Sequence, residues 1–317
     1  MNSEPPCFSI RTDCAVYRIS GADRLEFLQR LSTNEVESLL PGQGVATVLT
    51  TMKGRTIDLL MLYSFPDHVL AFGGVSARDA VIEHFKRYTI SEDVWIQDIT
   101  FDVTVGGVYV DTDDVLLRAL NVNRSEHRAP ACRQSVLFET TIELFFGAFF
   151  TGGGLAFVMP LLATSTVFQG LRGIGAIEWS GDEVETWRIK KGIPAWGAEL
   201  SAQFNPLENG ADFAVSFAKG CYLGQEVIAR MHSFGKVQRA LMGIRYAAQT
   251  PIVTPRDVVA DQKIIGTLTS TCFDSSMGNM MGLCIVRKEF AHDGTIVWIA
   301  IGEEEIPATL YSLPART

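Results

Sequence analysis

Two apolar runs, Val45 to Thr51 and Thr56 to Phe65, are separated only by a short polar link containing Lys53-Gly54. Both are rich in the β-branched and aromatic residues that suit a pleated surface, and the glycine supplies the turn. A link this short joins antiparallel neighbours, because parallel strands need a crossover of roughly a dozen residues or more. The pair therefore argues against a doubly wound parallel sheet and for an α+β fold built on antiparallel sheets.

The surrounding pattern extends that reading. A strand is expected at Cys14 to Ile19. A helix follows from Ala22 to Leu31, with Leu25, Leu28 and Leu31 as its buried stripe and Ser20 with Asp23 as a helix-start box. A second helix is expected from Ala77 to Tyr88, then strands at Val94 to Ile99 and Val103 to Val110. Further on come strands at Val136 to Phe150 and Leu155 to Met159, and a short helix from Pro160 to Leu171. Ser180 with Glu183 forms a capping box for a helix ending near Lys191, with Gly192 as its C-terminal glycine. From Lys236 the helical period disappears, and short strands are broken by Gly266, Gly278, Gly282 and Gly294. Residues 1–120 and 121–235 thus read as two α/β units with antiparallel sheets that can be intertwined, and 236–317 as a small all-β unit.

A chain of 317 residues with 47% hydrophobic content can bury sizeable cores. Its net charge of −9 argues against nucleic acid as a partner, since phosphate binding calls for a basic surface. The uncharged stretch Leu144 to Leu171 exceeds the ~20 residues of a spanning helix, yet Gly152-Gly153-Gly154 and Pro160 break it into shorter elements. The first residues carry neither a basic start nor an apolar core, so the cytoplasm is the expected location. Six cysteines without a Cys-x-x-Cys pair fit free thiols in a reducing compartment, and five scattered histidines give no zinc spacing. Dinucleotide, phosphate-loop and nucleophile-elbow motifs do not occur.

One thiol is set apart by its neighbours. In Lys219-Gly220-Cys221-Tyr222-Leu223-Gly224-Gln225-Glu226, Cys221 stands between a lysine and a helix predicted over Gly224 to Met231, with Gly235 as its stop. A helix N-terminus and a neighbouring cation both favour a thiolate, the form that acts as nucleophile or metal ligand. Glu226 opposes this less if Arg230 pairs with it across one turn. Tyr222 either fills a core gap or orients a ligand through its hydroxyl. Gln225 and Glu226 are either ordinary first-turn residues or ligand contacts.

The string Lys-Gly-Cys-Tyr-x-Gly-Gln-Glu, followed by Ala229-Arg230, resembles the signature of the YgfZ family of folate-binding proteins, relatives of the glycine cleavage T-protein. Ser20 to Gln29, Lys53 to Asp58, Arg188 to Pro194 and Asn205 to Glu208 are similar to further segments of those proteins, so the resemblance spans roughly residues 10 to 300. It implies a T-protein-like fold with a C-terminal β-barrel and three units in a ring around bound tetrahydrofolate. It also implies assistance to the assembly or repair of four-iron enzymes, with Cys221 as the working thiol and Lys219 as its charge support. Iron–sulfur clients and assembly proteins would then be the partners. Any iron or cluster held by one cysteine would be transient and shared, because four-iron clusters want about four thiolates.

The resemblance leaves two other functions open. T-proteins carry two adjacent carboxylates where this chain has Ile57-Asp58, so a folate-dependent aminomethyltransferase or demethylase would rest on Asp58 alone, with one carboxylate missing. Asp58 is otherwise a hydrogen-bonded structural group. A folate-binding module without chemistry is the third function. Glu208 falls where folate relatives often have an acid, and Arg188 either meets a glutamyl tail or pairs with Glu185 on its own helix.

Overall fold

The structure is a computed structural model, and it describes residues 6–109, 130–152, 154–248, 250–275 and 277–314. The chain begins β1 (Cys7–Ile10), β2 (Cys14–Ser20), α1 (Arg24–Leu31), β3 (Gly44–Thr50), β4 (Thr56–Ser64), β5 (His68–Gly74), α2 (Arg78–Tyr88), β6 (Trp95–Asp98) and β7 (Val103–Tyr109). It continues with β8 (Ala131–Leu137), β9 (Thr140–Phe146), β10 (Leu155–Pro160), α3 (Thr164–Gly173), β11 (Ile177–Glu178), α4 (Gly181–Lys191) and α5 (Gln225–Ser233). The last elements are β12 (Arg239–Tyr246), β13 (Arg256–Ala260), β14 (Lys263–Asp274), β15 (Asn279–Arg287), β16 (Ile296–Ile301) and β17 (Glu304–Tyr311).

These elements make two open sheets and a barrel. The first sheet runs β3-β4-β5-β2-β6 and is antiparallel throughout, with Val48 opposite Leu59 in the β3–β4 hairpin. The second runs β11-β1-β7-β10-β9-β8, and its only parallel pair is β1 with β11. The six strands β12 to β17 close a barrel in the order 12-15-14-13-16-17. The α+β class and the antiparallel pairing expected from the pattern are present, and the all-β unit after Lys236 is the closed barrel that the resemblance implies.

Side-chain alternation stacks the layers. On the first sheet, Tyr17, Leu60, Leu62 and Ala71 face Phe27 and Leu28 of α1 and Val81 and Phe85 of α2. The opposite set, Val48, Leu59, Met61, Tyr63 and Phe72, faces Phe145, Ala156 and Val158 of the second sheet. Beyond that sheet, α3 packs Val167, Phe168 and Leu171 against Phe8, Val108 and Phe157. Both faces of each sheet are therefore covered, with one core shared between the two sheets.

Several local expectations hold and several change. The Ser180–Glu183 capping box is complete, and Gly192 closes α4 in the left-handed region at φ 68°. The Ser20–Asp23 box does not form. Ser20 belongs to β2, where it pairs with His68 and Trp95, and α1 starts at Arg24 without a side-chain cap. The run Val136 to Phe150 is two strands rather than one, turned at Phe138 and Glu139, which both have positive φ. The strand expected to reach Val110 ends at Tyr109, and Val110 lies outside the described residues. The sequence pattern does not announce β5. That strand is buried along its whole length, so it lacks the alternation that marks a half-exposed strand.

Candidate functional site

The signature loop is anchored to two elements that lie far from it in sequence. Thr50 at the end of β3 donates its hydroxyl to the Leu223 carbonyl at 2.6 Å, and the Leu223 N–H donates to the Arg30 carbonyl of α1. Gly224 has φ +85°, and a Cβ there would lie 2.5 Å from the Thr51 carbonyl oxygen. It also sits against Gly54 of the hairpin turn, while Gly54 in turn faces Val227 and Ile228 of α5. A glycine is required by both conformation and space. The Lys53-Gly54-Arg55 turn and the cysteine signature, separate in sequence, thus form one surface feature.

Within that feature Cys221 is exposed, while Cys14, Cys132, Cys272 and Cys284 are buried. The helix after it begins at Gln225, one residue later than expected, and Gly224 is its N-cap. Cys221 therefore stands in the loop before the cap, outside the first helical turn. Lys219 is buried and turned away from solvent. Its Nζ donates to the carbonyls of Gln29 (2.7 Å), Ser32 (2.8 Å) and Asn34 (2.7 Å), and it lies 5.3 Å from the centroid of the Tyr222 ring. An ammonium has three N–H donors, and all three are used. The charge-support role expected for Lys219 gives way to an anchoring role, in which it holds the C-terminal end of α1 and the following loop. Burial pulls its pKa down to about 8, and the three carbonyls favour the protonated form.

The other signature residues divide. Tyr222 is buried with Val215 and Ile228, and burial pushes its phenol up to about 12, so it fills a core gap. Gln225 is half-buried, Glu226 and Arg230 are exposed, and no ion pair joins Glu226 to Arg230.

Asp58 lies in β4 on the face that meets the helices. Its Oδ2 accepts the Gly74 N–H at 2.9 Å and its Oδ1 the Leu59 N–H at 2.9 Å, filling a gap at the end of the β4–β5 ladder. A Cβ on Gly73 would come within 2.4 Å of Oδ2, and a Cβ on Gly74 would meet Trp196 at 2.4 Å on the opposite face. The two glycines make room for a carboxyl group below the sheet and an indole above it. Full burial raises the Asp58 pKa to about 8, so the group is largely protonated at neutral pH.

Leu59, one residue on, faces the space between the sheets, and its carbonyl accepts the Trp196 Nε1–H at 3.0 Å. Trp196 meets Phe149 edge-to-face at 5.3 Å, and Phe149 lies 6.4 Å from Phe213. These half-exposed rings form a wall that the sequence pattern did not single out; its signal was large aromatics in a segment of irregular backbone. The loop that carries Phe213 also carries Glu208, which is only 6% exposed. One Glu208 oxygen takes the Asn205 N–H at 3.4 Å, and the other has no partner among the described residues. Asn209, the next residue, donates to Thr56 Oγ1 at 3.1 Å and ties this loop to β4.

Arg188 stands apart from this group. Its guanidinium is spent on Glu185, Glu199, the Ile193 carbonyl and Ser270 of β14. Glu199 also takes hydrogen bonds from Thr269, Ser270 and the Ala195 N–H, so the cluster locks the segment after α4 onto the barrel. Of the two roles open to Arg188, pairing with Glu185 is the one found. Among the described residues no group of three or more His, Cys, Asp or Glu side chains forms a metal-ligand set.

Comparison with known proteins accounts for both parts of the architecture. The GCVT N-terminal domain model matches residues 12–219, and the glycine cleavage T-protein C-terminal barrel domain model matches residues 239–315. The chain belongs to the glycine cleavage T-protein family. A chloroplastic putative transferase of Arabidopsis thaliana is 30% identical over 289 residues, 90% of this chain and 66% of that protein. An aminomethyltransferase of Bacillus pumilus is 25% identical over 312 residues, 93% of this chain and 83% of that one. The crystal structure of the glycine cleavage system aminomethyltransferase T from Bartonella henselae superimposes with a TM-score of 0.85 at 14% identity, over 98% of this chain and 86% of that chain. This T-protein family member thus shares the fold of a solved aminomethyltransferase. Its β4 carries a single carboxylate, Asp58. No helix of the described residues is long and apolar enough to cross a membrane.

Proposed function

We propose that this chain binds tetrahydrofolate and acts on a one-carbon unit carried by it, as a transferase of the kind for which its relatives are named. The observation that carries the reading is Glu208, a buried carboxylate with one oxygen unclaimed among the described residues, on the same loop as Phe213 of the half-exposed aromatic wall. An amino-pterin offers N–H donors on one edge and a flat apolar face, and these chemistries suit Glu208 and the rings of Phe149, Trp196 and Phe213. Bound tetrahydrofolate would supply the nitrogen that carries the one-carbon unit. The residues named here bind and orient its ring and keep water from one face.

Asp58 is not given the proton step. A general base must be within reach of the proton it takes, and Asp58 is turned toward the helices with one oxygen on the Gly74 N–H and the other on the Leu59 N–H. Calorimetric titration of the purified protein with tetrahydrofolate should show binding, weakened about tenfold in Glu208→Gln by loss of one charge-assisted hydrogen bond. Turnover of a methylamine-type substrate with folate then tests transfer. Absence of folate binding by the wild-type protein overturns the reading.

A second reading, iron–sulfur enzyme assembly or repair of the YgfZ type, is favoured by the exposure of Cys221 on an anchored loop. It predicts that Cys221→Ala fails, while Asp58→Ala succeeds, in restoring a four-iron enzyme in cells that lack this protein. Rescue by Cys221→Ala removes this reading and leaves folate chemistry standing.

A further inference from the structure

The exposed side of α5 carries a groove of about 180 Å³ lined by Glu226, Val227, Arg230, Met231 and Lys236. That is smaller than the roughly 300–1,000 Å³ of small-molecule sites and comparable to the room one large side chain needs. Apolar surface continues on either side of it. Val227 packs on the Gly54 turn, whose neighbour Met52 is 73% exposed, and Phe234 at the end of α5 is 69% exposed.

Charge around the groove runs against the charge of the molecule. The chain has a net charge of −9, yet exposed Arg230 and Lys236 line the groove beside a single acid, Glu226, and exposed Lys53 and Arg55 flank Gly54 in the turn that meets Val227. Among the described residues none of these four cations makes an ion pair; Arg55 donates to the Gln203 carbonyl and Lys236 lies over the Phe234 ring. Unpaired like charges held together repel one another, and an apolar floor exposed between them costs solvation. A partner that supplies both carboxylates and an apolar side chain relieves both.

We infer that the α5 groove docks an acidic segment of a partner protein, which seats one large apolar side chain between Val227 and Met231 and sets carboxylates against Arg230, Lys236, Lys53 and Arg55. The groove adjoins the loop of Cys221 but lies outside the Glu208 loop, so this docking does not depend on folate binding. It accounts for an apolar, cationic surface on an otherwise acidic protein. The glycine contact between the hairpin turn and α5 brings the turn that bears Lys53 and Arg55 against the groove's helix.

The test uses the full chain and a short fluorescent peptide of leucines and glutamates, read by fluorescence anisotropy. Tight, salt-sensitive binding is expected, falling about tenfold or more in Arg230→Glu with Lys236→Glu, a difference of one or more decades in Kd. Met231→Ser should weaken binding through the apolar contact alone, with unchanged circular dichroism confirming the fold. An oligoglutamate or an oligonucleotide that binds as tightly as the leucine-bearing peptide would mark a plain anion site and overturn the proposal. Equal binding of a leucine–lysine peptide, or no effect of the charge reversals, would overturn it as well.

Discussion

Lys219 and Asp58 are two buried ionisable groups, one tied to the end of α1 and one within β4, and burial moves both to a pKa of about 8. At neutral pH the outcomes are opposite. Lys219 remains an ammonium, with three carbonyls around it, while Asp58 is largely a neutral acid despite two N–H donors. The same desolvation penalty acts on each, but it lowers a cationic acid and raises a neutral one, so the same value leaves one group charged and the other neutral. The contrast teaches that proximity to the signature cysteine or to the β3–β4 hairpin does not assign chemistry. What assigns it is where each polar hydrogen or lone pair is already committed.

The largest effect expected from this comparison is in Lys219→Met. That change leaves three buried carbonyls without partners, and urea unfolding should show a loss of about 3 kcal/mol or more. A variant that keeps wild-type stability and loses only activity would return Lys219 to the thiol. Next is Gly73→Ala, whose Cβ would meet the Asp58 carboxylate and should cost about 2–3 kcal/mol. The cost should shrink in an Asp58→Ala background, and a double-mutant cycle without coupling would break the assignment.

The two charges also separate by pH. Asp58 has a folded pKa above its unfolded value of 3.8, so the folded state holds the proton through the window from about 4 to 8. Its contribution to stability is full below that window and is lost as pH rises, at up to roughly 1 kcal/mol per pH unit. Lys219 has a folded pKa below its unfolded value of 10.5, so the unfolded state binds the extra proton and stability rises between about 8 and 10.5. Urea titrations of Asp58→Asn should flatten the first slope and leave the second; a slope that persists would assign it to another group. The smallest effect belongs to Cys221→Ala, which should change stability by under about 0.5 kcal/mol because the thiol is exposed. In the native wild type a thiol reagent should modify Cys221 far faster than the four buried cysteines, and equal rates would show that its loop is not the accessible one.

Much of the fold is local and was legible. The hairpin follows from two apolar runs and a short turn, the α4 boundaries from Ser180, Glu183 and Gly192, and the all-β character of the last unit from a change of period after Lys236. These features depend on residues a few positions apart, where propensity, capping and turn chemistry act directly. Elements covered on both faces, such as β5, left no such mark.

The candidate site was legible as a set of motifs and illegible as geometry. From the chain alone, the Lys53-Gly54-Arg55 turn, the cysteine signature and the Asn205 to Glu208 segment could each be singled out. Tertiary structure joined the first two through Gly54 and Gly224, spent Arg188 and Lys219 on buried anchoring bonds, and turned Asp58 to the helices while Leu59 took the face between the sheets. The physical reason lies in strand alternation and in the saturation of donors. Sequence says that Asp58 and Leu59 point to opposite faces, but which face meets the second sheet, and which carbonyls a lysine reaches, follow from contacts made across more than a hundred residues of chain.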